Sequence, residues 1–156
     1  MNASIVPLSE WAWYGHAGHF ICGRWCRFHL ATKVGAFWVS TVGEYVPTDS
    51  VQTILAECRG NPLVERGEAR EDEFIRKFGF EKLGASGLYE TMVFSAGDDV
   101  CTERGCNCGQ PLPRSWHNLA GDRYDTAKEA RDGHLSYCQR AAEGAFELEV
   151  ETDDVD

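Results

Sequence analysis

No apolar run in this chain approaches the roughly 20 residues that a membrane-spanning helix needs. The opening MNASIVPLSEW also lacks the basic start and apolar core of a secretory signal. Together these give the expectation of a soluble, cytoplasmic protein with no membrane partner. Proline is scarce, at 5 residues, and no internal repeat or low-complexity block appears, which removes solenoids and Pro-rich linkers from consideration. Basic residues are in deficit: 15 Lys and Arg stand against 25 Asp and Glu, for a net charge of −10. The deficit is uneven. Residues 143–156 hold seven acids and no base, while residues 1–60 carry equal numbers of each sign. Such an acidic end repels nucleic acid, and it acts either as a solvated tail or as a phosphate mimic.

An even cysteine count is missing too. With 7 cysteines, full disulfide pairing within one chain is impossible. In a reduced compartment, clustered cysteine and histidine point to a metal before they point to disulfides.

What is present first is aromatic. Half of the chain's Trp, Tyr and Phe residues fall between Trp11 and Tyr45. The segments HFIC, CRFHLATKV and AFWVSTVGEYV are separated by short loops holding Gly23 and Gly35, which reads as an antiparallel β-meander. TDSVQTILAECRG (48–60) predicts a helix, with Asp49 and Gln52 at its start, Cys58 on its apolar stripe and Gly60 as its stop. ERGEAREDEFIRKFG (65–79) predicts a second helix ended by Gly79. LYETMVFSA (88–96) reads as a strand. In the last helical stretch, Thr126 and Glu129 form a capping box, and Ala127, Ala130, His134, Cys138 and Ala141 share one face. FELEV alternates apolar with acidic residues and adds an edge strand before the acidic end. The expected fold is α+β: an aromatic antiparallel meander carrying two or three packed helices, in one globular domain over 1–142 followed by an acidic strand or tail over 143–156.

The strongest metal signal is CTERGCNCG with the helix behind it. Residues four apart on a helix point the same way, so His134 and Cys138 can offer two ligands to one tetrahedral zinc. Cys101, Cys106, His134 and Cys138 are the first choice for four places; Cys108 replaces Cys101 or supports the set from outside. A site closed by four protein ligands leaves no place for substrate, so this zinc is structural. The competing reading keeps His134 and Cys138 as core residues of an amphipathic helix.

HAGHFICGRWCRFH (16–29) offers a second possible site in His16, His19, Cys22, Cys26 and His29. If Gly23, Arg24 and Trp25 close a hairpin, alternation puts Cys22 and Cys26 on one face and His19 and His29 on the other. One ion then cannot reach both pairs. His16, His19 and His29 form either a three-histidine site with an open coordination place or hydrogen-bonded neighbours of Trp11 and Trp13. Cys22 and Cys26 remain open as a disulfide, a metal pair or a nucleophile with a histidine base. Arg24, Arg27 and Lys33 among the aromatics suit single-stranded nucleic acid, a reading the acidic tail opposes.

HFICGRWCRFHLATKVGAFWVSTVGEYV, then YETMVFSAG, CTERGCNCGQP and EARDGHLSYC, resembles small uncharacterised proteins encoded by bacteriophages and prophages. The resemblance spans roughly residues 11–45 and 88–140. It implies an accessory protein acting in a bacterial host's cytoplasm, and it transfers no catalytic residue. The leading expectation is a non-enzymatic, zinc-binding module that binds, and thereby inhibits or redirects, a host protein. A metal-dependent hydrolase or nuclease built on His16, His19 and His29 is the alternative, with a nucleic-acid-binding module third.

Overall fold

Strand formation follows the β-branched and aromatic runs. In the computed structural model, which describes residues 4–14, 26–45, 87–102, 109 and 111–147, six strands join in one antiparallel sheet. β1 (Ala12–Tyr14), β2 (Cys26–Val34), β3 (Phe37–Tyr45) and β4 (Tyr89–Val100) lie side by side in chain order. β4 then pairs along its first half with β6 (Ala120–Tyr124) and along its second with β5 (Pro111–Pro113), with a register shift between Ala96 and Val100. A two-residue turn joins β2 to β3. Gly35 occupies its first position at φ 59°, the left-handed backbone that a type II′ hairpin turn asks of a glycine.

α1 (Ala127–Ala142) crosses one face of the sheet, against β2, β3, β4 and β6. Its start is the expected capping box in variant form. Thr126 Oγ1 accepts the Glu129 N–H at 3.2 Å, and the Glu129 carboxylate reaches back to the Asp125 N–H at 3.2 Å. Its end is a Schellman motif: Gly144 N–H donates to Ala141 O and Ala145 N–H to Arg140 O, with Gly144 at φ 72°. The buried face comprises Ala130, His134, Tyr137, Cys138, Ala141 and Ala142. Against it pack Val34, Phe37, Val39 and Val93 of the sheet, flanked by Val6 and Trp11 from the N-terminal segment. A second cluster of Cys26, Ala31, Trp38, Val42 and Phe94 gathers separately, with Tyr14 edge-on to Trp38.

The α+β expectation and the antiparallel meander hold at this level. Of the two or three helices expected, α1 is the one α-helix among the described residues; 48–60 and 65–79 lie outside them, as does HFIC. Of FELEV, Phe146 and Glu147 are described and 148–150 lie outside the described residues. After the Schellman turn Phe146 stacks on Tyr137 (ring centroids 6.1 Å apart) and meets Phe37 edge-on.

Candidate functional site

Three threonines, one on each central strand, build a polar centre beneath α1. Thr32 lies on β2, and Thr41 on β3 stands directly opposite Thr91 on β4. Strand alternation aims all three hydroxyls at the helix. His134 meets them with no solvent exposure. Its Nε2 lies 2.8 Å from Thr32 Oγ1 and its Nδ1 lies 2.7 Å from Thr41 Oγ1, while Thr41 Oγ1 is 2.6 Å from Thr91 Oγ1. Burial pushes the imidazole pKa down to about 4. The ring is therefore neutral near pH 7, where one nitrogen donates and the other accepts. Thr32 and Thr41 must take opposite roles, which orients the whole chain of hydrogen bonds.

One turn on, Cys138 is fully buried, and burial pushes its thiol up to about 12, with Thr32 nearby partly opposing that rise. A thiol that stays protonated is a poor nucleophile. The expected pair of helix residues shares the buried face of α1, where both ring nitrogens of His134 meet threonine hydroxyls. Cys101, just past β4, is half-buried, and among the described residues no three His, Cys, Asp or Glu side chains assemble into a group. Cys106 and Cys108 lie outside the described residues.

Of the second candidate set, His16, His19 and Cys22 also lie outside them. Cys26 opens β2 inside the cluster with Trp38 and Val42. His29 sits opposite Val42, its Nδ1 buried and, among the described residues, without a hydrogen-bond partner.

Sequence reasoning missed two features. Threonines in strands read only as good β formers, so the anchors of His134 carried no signal of their own. The other feature is how Trp13 is held. Paired with Thr32 across β1 and β2, its ring lies 6.2 Å from that of His134 and 6.1 Å from that of Trp11, yet it is 52% exposed. Ile5, Leu8 and Leu135 are the other large exposed apolar side chains on the N-terminal segment and α1.

A separate hollow of about 390 Å³ opens over the β4–β6 ladder, between Glu90, Met92, Asn118, Gly121, Asp122 and Arg123. No helix among the described residues is long and apolar enough to cross a membrane. No protein-family model matches the chain, and no curated protein or solved structure matches it.

Proposed function

We propose that this chain is a non-enzymatic accessory protein of the phage type, which acts in a bacterial cytoplasm by binding a host protein. The observation that carries the reading is Trp13. A tryptophan half in water yet braced by two rings is the kind of residue that dominates binding energy at protein interfaces, since its area is presented without loss of side-chain freedom on docking. His134 supports it from below. The threonine network fixes the imidazole plane, and the imidazole fixes one side of the indole. Ile5, Leu8 and Leu135 supply further exposed apolar surface on the neighbouring elements. Saturation of His134 and protonation of Cys138 favour support over chemistry at this centre.

A structural zinc belongs to the same proposal. Since His134 and Cys138 are committed to the sheet, Cys101, Cys106 and Cys108 are the thiols to which it would fall, and it would stabilise their loop. Of the hydrolase reading on His16, His19 and His29, His29 alone lies among the described residues.

The test is affinity capture from the bacterial host with wild type beside Trp13→Ala, after matching their melting curves. A host protein retained by wild type and lost with Trp13→Ala supports the reading. Identical captures from both overturn it.

A further inference from the structure

The hollow over β4 and β6 is unrelated to the Trp13 surface and has a defined hydrogen-bonding character. Its floor exists because Gly121 packs so tightly on β4 that a Cβ there would lie 2.6 Å from the Thr91 carbonyl oxygen and 3.1 Å from the Asn118 amide nitrogen. No side chain other than hydrogen can occupy that position. On one wall, Arg123 Nε is bound to Glu90 Oε2 at 2.7 Å. That contact orients the guanidinium but uses only one of its five N–H groups, and the side chain is 41% exposed. On the other wall, Asn118 Oδ1 accepts the Val93 N–H at 3.2 Å, which fixes the amide and leaves its NH₂ to donate. Met92 supplies the apolar part of the lining.

The charges decide what fits. Glu90 and Arg123 set one charge of each sign in the hollow. A lone anion on the guanidinium would also meet the Glu90 carboxylate beside it. A lone cation would satisfy that carboxylate and leave the guanidinium fork and the Asn118 amide without an acceptor. A group carrying both signs a few ångströms apart meets both requirements, with its carboxylate on Arg123 and Asn118 and its ammonium facing Glu90. We infer that the hollow binds a free α-amino acid as its zwitterion, the side chain lying on Met92. The volume is at the small end of ligand sites, as such a ligand requires.

Met92 is also the reporter. The chain has two methionines, Met1 and Met92, so methyl-labelled methionine gives one resonance inside the hollow. Titration of the full chain with L-leucine should move the Met92 methyl signal saturably, with a Kd on the order of 1 mM. N-acetyl-leucine, which lacks the ammonium, and leucinamide, which lacks the carboxylate, should each bind at least about tenfold more weakly, as should leucine on Arg123→Gln. The two analogues also distinguish a free amino acid from the ends of a peptide, each of which carries only one of the charges. No shift up to about 20 mM leucine, or equal binding of either analogue, overturns the inference. The analogue comparison is made on wild type, so it stands even if Arg123→Gln fails to fold.

Discussion

His134 is a histidine that cannot afford its charge. Both ring nitrogens are spent on threonine hydroxyls, and burial holds the folded pKa at about 4, against an ordinary 6.5. Above 6.5 the ring is neutral whether folded or unfolded, and the contribution to stability is fully present. As pH falls from 6.5 towards 4, the unfolded chain takes up a proton that the folded chain refuses, so stability is lost across that window. The shift corresponds to about 3 kcal/mol as an upper order of magnitude. Urea unfolding of wild type should therefore weaken more steeply between about pH 7 and pH 4.5 than that of His134→Gln. Parallel pH profiles for the two proteins would show that the imidazole is not held as described. This residue also marks the limit of what spacing could reveal. The step from His134 to Cys138 gave the right helix face but not the threonines that meet it, because a helix face that points at a metal and one that points at threonines share one periodicity. Which of them applies depends on hydroxyls from three strands far away in sequence, and nothing local to the helix encodes that.

Elements were more legible than sites because their signals are local. The alternation of CRFHLATKV and AFWVSTVGEYV around Gly35 placed β2, β3 and their turn, and Thr126 with Glu129 placed the start of α1. The end of α1 carried a weaker signal. Gly144 sits at φ 72° and closes the Schellman turn, which sets Phe146, the first residue of FELEV, on Tyr137; 148–150 lie outside the described residues. Both ends of the helix can be weighed. Thr126→Ala removes the hydroxyl that accepts the Glu129 N–H and should cost about 1 kcal/mol. Gly144→Ala forces a side chain into left-handed backbone and should also cost about 1 kcal/mol. Because the sites lie at opposite ends of α1, the double variant should lose the sum, as read by chemical denaturation. A loss from Gly144→Ala near zero would mean that the turn relaxes and that Phe146 is free to leave Tyr137.

At the scale of the whole molecule, the question is where a metal resides if one is bound. Elemental analysis of protein purified without added metal, run on wild type, Cys106→Ser and His134→Gln, separates the cysteine loop from the helix. The expected result is about one zinc per chain in wild type and in His134→Gln, and its loss from Cys106→Ser. Loss from His134→Gln as well would restore the helix to the ligand set and would require His134 to exchange a threonine for the ion. The sheet sets a different kind of hierarchy. β4 is twelve residues long and is the only strand among the described residues that holds three neighbours, with β3 on one edge and β6 and then β5 sharing the other. Its amides from Tyr89 to Val93 lie in ladders on both sides, whereas those beyond Ala96 have left the β3 ladder behind. In deuterated solvent, β4 should therefore not exchange as one unit. Its first half should hold its protons until the protein opens globally, and its second half should give them up early, as the β5 flap lifts on its own.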